Sequence, residues 1–540
     1  MGKFFLRFFV IIFILAISII FFLSYIGLET NKFNDLIKSK ANEAHQHVKL
    51  EFKKTKIHLN PKELNLVVKL QKPKVLIKNN EIILSKLDLF LPLRSFITSD
   101  FLLERAQIAF FENNIKDLSK ITRIFLPKII NKQLNKIFKE GNLEGEFVIP
   151  FEPDGSIGKD YGFSGKVIDA SIDLPKGFLI KNLTTEINLG KEIENGGLVA
   201  TIRKGSLFDL QLADSIINLK LKKDETIIKS LLHTNGKISF SQIKEISSLL
   251  GLKVNSFKDI NGKVDLKTKI NFNLVKKFKI KNLSYSITGD IAHLAIDTEE
   301  KRIIKKYLPE YNSKIVLKNT NIKLFNSESD LITELNGSIK VKDHFDNFKV
   351  KKKYNYSKKS FDINGILDLT NSKVEVSKLN YNKNYGRQSE LRFEVGFILN
   401  KQYNIKKLNF LADENKIYLS NVKLNKNFEV DDFRKLEIKT FLNEKKNNDF
   451  SVDKSKKIII TGEIFDAQPL LKSLFIKSDK KIFSKNFNSE IKINLRKTLT
   501  GTDDDVFNFV MIASINGGSY NKLSLKGNFS EDEKVEMSIY

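Results

Sequence analysis

"KVDLKTKINFNL", Lys263 to Leu274, decides the fold class. Val264, Leu266, Ile270, Phe272 and Leu274 fall on one side with Thr268, while Asp265, Lys267, Lys269, Asn271 and Asn273 fall on the other. Strict alternation is the period of a β-strand with one apolar face and one wet face. The eleven residues Val264 to Leu274 would reach about 36 Å at about 3.3 Å each. That is longer than the usual strand of about 17–20 Å.

The same period recurs at Val48, Leu50 and Phe52, at Leu64, Leu66, Val68 and Leu70, and at Leu87, Leu89 and Leu91. It returns at Ile339 and Val341, at Val374 and Val376, and at Ile491, Ile493 and Leu495. From Phe147 onward strands dominate. Asn-Gly occurs six times, at Asn195, Asn235, Asn261, Asn336, Asn364 and Asn516. Both residues tolerate positive φ, so the pair is read as a two-residue hairpin turn joining antiparallel strands, or as a bulge at a strand start. "IKNLTTEINLG" (Ile180 to Gly190) returns as "IKNLSYSITGD" (Ile280 to Asp290), with "GKV" before each copy at Gly165 and Gly262. An internal repeat with a period near 100 residues is expected,. Arrays of this kind are held by neighbour contacts and grow into long surfaces.

The chain begins with an apolar run. Phe8 to Leu28 contains no charge, with Lys3 and Arg7 before it and Glu29 after it. About 20 such residues suffice to cross a hydrocarbon core. Phe8, Phe13, Leu15, Phe21 and Leu28 are the candidate anchor residues. The basic residues place the N-terminus in the cytoplasm and everything after Glu29 outside it. The run exceeds a signal-peptide core and lacks a small-residue cleavage site at Ser24 to Gly27, so an uncleaved anchor is expected,.

Helical spacing appears in few places. Residues 31–47 read as a short polar helix with Phe33, Leu36 and Ile37 on one face. Ile115 to Lys139 carries Leu118, Ile121, Phe125, Ile129, Ile130, Leu134, Ile137 and Phe138 at helical intervals, with Pro127 as a kink and Gly141 as the stop,. Short helices are expected near Ser241 to Leu250, Thr298 to Tyr307 and Pro469 to Phe475. "DHFDNFKVKKKYNYSKK" (343–359) and "EKKNNDFSVDKSKK" (444–457) read as charged loops and unit boundaries,.

Composition bounds the chemistry. The chain has 540 residues, a net charge of +27, 43 Phe, no Trp and no Cys. Without Cys there are no disulfides and no thiolate metal sites. The lysines alternate along strands, as on a solvated sheet face, whereas a nucleic-acid site clusters its cations among aromatics. Nucleic acid is therefore not an expected partner; anionic headgroups or envelope polysaccharide suit the charge better. His45 and His47 fall on different faces of a helix, unlike the i, i+4 pairs of zinc sites,. Asp503, Asp504 and Asp505 lack the periodicity of a calcium loop,. No phosphate loop, dinucleotide glycine pattern or nucleophile elbow is present. The expectation is no enzyme, no cofactor and no metal.

Residues 1–112 resemble the N-terminus of AsmA-like envelope proteins of Gram-negative bacteria, the AsmA/YhdP/TamB group. The likeness lies in the order of parts: membrane anchor, short helix, then "VKLEFKKTKIHLNPKELNLVVKLQKPKVLIKNNEIILSKLDLFLPLRSFI" (Val48 to Ile97) and "LLERAQIAFFE" (Leu102 to Glu112). "GEIFDAQPLLKSLF" (Gly462 to Phe475) is similar to a strand–helix element of the YhdP-type branch. The chain stops on a strand ("KVEMSIY"), as a short or incomplete member would.

The resemblance implies a mainly β protein: a transmembrane helix, then a long, twisted, mostly antiparallel repeating-β groove with short helical insertions. It implies an inner-membrane anchor, a periplasmic bulk, phospholipid as cargo carried between inner and outer membranes, and outer-membrane or envelope proteins as partners at the C-terminal end. Leu183, Ile187, Leu189, Val264, Leu266, Ile270, Phe272, Leu274, Leu283 and Ile287 are the groove candidates. The expected divisions are 1–7 (cytoplasmic), 8–28 (anchor), 29–112 (helix and first β unit), 113–145 (amphipathic helical insertion), 146–345 (repeating β units) and 346–540 (further β units, with a helix near 469–475). Two other readings use the same alternation. One is a structural envelope protein whose apolar faces close on a dry core; the other is an exported polysaccharide-acting enzyme.

Overall fold

The computed structural model describes residues 2–44, 48–77, 80–93, 102–122, 138–156, 158, 160–174, 178–190, 197–222, 224–249, 258–275, 279–298, 302–398, 402–426, 428, 430–475, 488–502, 504–530 and 533–539. The protein is mainly β and its strands pair almost entirely antiparallel, mostly with the next strand in the chain. Contacts divide it into two compact units, Met1–Gly236 with Thr268–Leu283, and Lys237–Lys267 with Ser284–Tyr540.

The first unit opens with an apolar helix, Gly2–Tyr25, with no part of its apolar window buried. By length and composition it can cross a membrane,. It ends earlier than the charge-free run suggests. Ile26 and Gly27 both donate backbone hydrogen bonds to the Phe22 carbonyl, at 2.8 and 2.9 Å. Gly27 takes the left-handed conformation, φ +79°, that closes helices,. Leu28 then belongs to the strand Leu28–Thr30, paired with Ile57, and not to the helix. A side chain at Gly27 would strike the ring of His58.

Next, Asn34–Ala44 is helical, as its spacing predicts, and packs Ile37, with Phe33 and Ala41, over Leu50, Phe52, Ile57, Val68, Leu70, Leu84, Leu87 and Leu91. The strands Thr55–Asn60, Asn65–Leu70, Asn80–Pro92, Arg105–Asn114 and Phe138–Pro150 pair in succession. A meander follows through Gly162–Leu174, Phe178–Gly190, Gly197–Leu207, Leu210–Leu221 and Glu225–Ser239. The helix expected over 115–139 is described only for Ile115–Thr122. Phe138 and Gly141 lie in the strand Phe138–Pro150, so the helical insertion does not extend to 145. Gly141 serves sheet packing instead of helix termination, since a Cβ there would lie 2.6 Å from Ala170 Cα.

In the second unit a meander runs through Lys314–Asn326, Asp330–Val341, His344–Asn355, Ser360–Asp368, Ser389–Ile398, Gln402–Ala412, Asn415–Leu424, Lys435–Leu442, Lys445–Lys454 and Ile458–Asp466. Ile458–Asp466 and Ser489–Leu499 form the one parallel pair among the described strands, and the helix Gln468–Phe475 lies in their connection. Both charged stretches read as loops are strands, His344–Asn355 and Lys445–Lys454. A boundary at 345/346 would cut the first of them. Their lysines and aspartates hid the period: Phe348, Val350 and Tyr354, like Phe450 and Val452, occupy alternate positions between them.

Asn-Gly also serves a different purpose here. Asn516-Gly517 begins a true turn, with Gly517 and Gly518 at φ +58° and +75°. Asn235, Asn261, Asn336 and Asn364 lie inside strands, and Asn195 lies outside the described residues. At Gly337 a Cβ would fall 2.5 Å from Thr320 Cα on the next strand, so glycine is needed for close approach,. The tight hairpins use other pairs, such as Lys342-Asp343, Asp413-Glu414 and Asn443-Glu444.

The duplicated "IKN" has a geometric cause. Asn182 and Asn282 adopt the same left-handed φ, 52° and 53°, and the strand register shifts between Ile180 and Leu183. Asn and Asp tolerate this conformation best among residues with a side chain. Asp214, Asn319 and Asn508 repeat it at other register shifts. Thus the two copies share a left-handed asparagine within a strand, a conformation that recurs at uneven spacing along the chain. Bulges bend a strand and increase its twist.

Candidate functional site

The second unit carries one feature on the scale of a binding surface. On each strand one residue faces the same way in register: Ile322, Leu335, Val350, Gly365, Phe393 and Leu408. The row goes on through Leu419, Leu436, Val452 and Ile460. It ends through Ile493, Met511, Leu525 and Met537. No charged residue interrupts it. At about 4.8 Å per strand its thirteen steps span about 62 Å, twice the roughly 30 Å of a hydrocarbon core. From Ile322 to Leu525 its side chains are neither buried nor fully exposed.

The neighbouring rows differ on the two sides of this lane. On one side lie Phe348, Leu367, Leu391, Phe410, Ile417 and Ile438. Phe410, Ile417 and Ile438 are buried there with Val374 and Tyr381 of a small hairpin, Val374–Val376 with Tyr381–Lys383. Polar groups clasp that hairpin. Lys383 Nζ donates to the carbonyls of Leu369, Thr370 and Ser372 at 2.7, 3.1 and 2.7 Å. Asn448 donates to Leu379 O at 2.8 Å, and Asn380 to Asp466 at 2.9 Å. Burial pushes the Tyr381 phenol up to about 12. Buried Asp346, also raised by desolvation, accepts from Asn371 at 2.7 Å.

On the other side comes a row holding Thr333, Lys352, Ile363, Val395 and Ile405, then an aromatic row. Tyr354, Phe361, Phe397, Tyr403 and Phe428 contact one another in sequence, with centroids 4.4, 4.7, 5.7 and 4.6 Å apart. Cross-strand aromatic contacts of this kind stiffen a sheet. The lane therefore runs between a covered apolar row and an aromatic rim.

The opposite face is wet. Glu334 bridges Lys351 at 2.8 Å, and Lys416 and Lys435 flank Glu437 at 2.6 Å each, holding its carboxyl below the usual range by hydrogen bonding. Polar residues such as Asn336, Lys349, Arg392 and Asn409 line depressions on that side.

In the first unit a shorter lane follows the same rule. Ile108, Phe147, Phe163, Leu189, Leu198, Leu219 and Ile228 pair in register and remain partly exposed. Of the sequence candidates, Leu189 lies in that lane and Ile187 beside it, and Leu266 approaches the second unit's lane at Gly289. Ile270, Phe272, Leu274, Leu283 and Ile287 are also half-exposed, and Ile287 begins the row that contains Lys352. Leu183 and Val264 are buried, 4% and 5% exposed, so they belong to packed core. Sequence reasoning missed Leu335, Val350, Phe393 and Leu408. Their alternation was visible, but which apolar positions align across strands depends on bulges and turns.

Among the described residues no group of His, Asp and Glu is arranged to hold a metal ion. His45, His47 and Asp503 lie outside the described residues; Asp505 bridges Lys497 at 3.0 Å. No protein-family model, curated protein or solved structure matches the chain.

Proposed function

We propose that this protein is a single-pass, inner-membrane-anchored member of the AsmA-like group whose bulk lies in the periplasm. In this reading it shelters lipid acyl chains on the apolar lanes and supports phospholipid transport between the inner and outer membranes. The observation that carries the proposal is the half-exposed lane. A sheet that closed on a dry core would bury this row, and a fully solvated sheet would not keep it apolar over so many strands. Each methylene withdrawn from water contributes about 0.8 kcal/mol, so such a floor can hold a tail outside a bilayer. The N-terminal helix and the first strand are joined by Ile26 and Gly27 alone, with His58 packed at the junction, a short link that supports first strands beside the membrane surface in this reading. The proposed role requires no chemical step.

The test is lipid content. Full-length protein purified in mild detergent should yield phospholipid on extraction and mass spectrometry. Phe393→Glu puts a carboxylate on the lane floor where it retains contact with water, so the variant should fold and lose most of that lipid. Lipid-free parent protein overturns the proposal. A reporter active only in the cytoplasm, fused at Tyr540, should stay silent, and a bright signal would exclude the periplasmic placement.

A further inference from the structure

We propose that Lys352 is a headgroup site: its ammonium binds the phosphate of an acidic phospholipid whose tails lie on the adjoining lane. The inference rests on the lipid reading above and adds a lipid class to it.

Lys352 stands where packing favours an apolar residue. It faces the same way as Phe348, Val350 and Tyr354, between Thr333 and Ile363 on the neighbouring strands. Its Nζ lies over the Phe361 ring, 4.7 Å from the centroid. No carboxylate among the described residues pairs with it. Lys454 and Lys497, further along the same face, are neutralised by Asp432 and Asp505 at 2.7 and 3.0 Å. The Lys352 stem covers apolar surface beside the lane while its ammonium stays open to an arriving anion,.

Lys352 is exposed to solvent, so an anion can reach it, and desolvation pulls its pKa below the usual lysine value. Beside the Phe361 ring, part of its surroundings is low-dielectric protein, where an anion gains more than on a fully hydrated face,. The partner's charge follows. A zwitterionic headgroup brings its own amine to its phosphate, whereas an acidic headgroup leaves one negative charge for Lys352. One residue-pair step away, Val350 begins the floor on which the tails of that lipid would lie.

The test uses full-length protein in detergent equilibrated with an equimolar mixture of phosphatidylglycerol and phosphatidylcholine carrying identical acyl chains. Bound lipid is then extracted and quantified. The parent should enrich phosphatidylglycerol about tenfold, equivalent to about 1.4 kcal/mol. Lys352→Gln should keep the total lipid and fall to near parity, and Lys352→Arg should restore the preference. Lys349→Gln removes the same charge from the wet face and should behave as the parent. A parental preference in Lys352→Gln, a parent with no preference, or an equal loss in Lys349→Gln overturns the headgroup site while leaving the lane intact. A parent that binds neither lipid overturns the lane reading, and the site with it.

Discussion

In the strand Asn80–Pro92, Leu87, Leu89 and Leu91 share one face, as Leu391, Phe393 and Val395 do in Ser389–Ile398, yet Leu91 is 0% exposed while Phe393 stays half-exposed. The first strand lies under the helix Asn34–Ala44, which brings Ile37 down onto the apolar face. Among the described residues, Phe393 belongs to no such cluster, and the small hairpin at 374–383 packs on the adjoining row. The same two-residue period thus makes a dry core in one place and an open floor in the other. The deciding feature is the presence of a second layer.

The contrast can be broken or sharpened experimentally, region by region, by hydrogen exchange; a chain of two units has no single unfolding free energy. The largest effect is expected at the covered end. Leu91→Ala should cost the strands around it about 3–5 kcal/mol, because both transfer energy and a cavity are at stake. A loss under about 1 kcal/mol would mean that this core is as open as the lane.

Removing the clasp of the hairpin comes next. Lys383→Met keeps the bulk but removes three hydrogen bonds; Leu369 O and Thr370 O still accept from the Ser372 and Gly386 N–H groups, while Ser372 O loses the Lys383 donor. Protection of the hairpin and of Phe410 and Ile417 should fall by about 2 kcal/mol. If protection holds, apolar packing alone keeps the hairpin down.

On the lane, Leu408→Ala should cost about 1 kcal/mol or less, since its side chain is already partly in water and leaves no closed cavity. A loss matching that at Leu91 would reveal a covering layer.

The smallest effect is one of pH. Desolvation, followed by Lys69 and Lys56, pushes the His58 pKa below its ordinary value of 6.5. The unfolded chain then binds the proton more readily than the folded one, so stability at this junction falls as pH drops below about 6.5 and levels off beneath the folded pKa. Protection of the amides at Leu28 and Ile57, corrected for intrinsic exchange, should decline over that window and not in His58→Gln.

By itself, the sequence determined what depends on neighbours along the chain. A two-residue period specifies a half-apolar strand whatever lies beyond it, which is why the mainly β class, the long strand around Lys263 to Leu274 and the short helices near 241, 302 and 469 were legible. The apolar helix follows from composition in the same way. The repeated "IKN" was legible as a signal, but not what its copies share, a single residue's backbone conformation at Asn182 and Asn282. Only the tertiary structure decided the rest. Asn-Gly reads the same whether glycine closes a turn, as at Gly517, or admits a neighbouring strand, as at Gly337. Charge runs over 343–359 and 444–457 look like loops until a partner strand accepts their backbone groups. Which apolar residues line up in a lane, and that Lys352 interrupts the next row unpaired, depend on register summed over every bulge and turn between them. Burial depends on what lies across the sheet, a contact between residues far apart in sequence that no local period encodes.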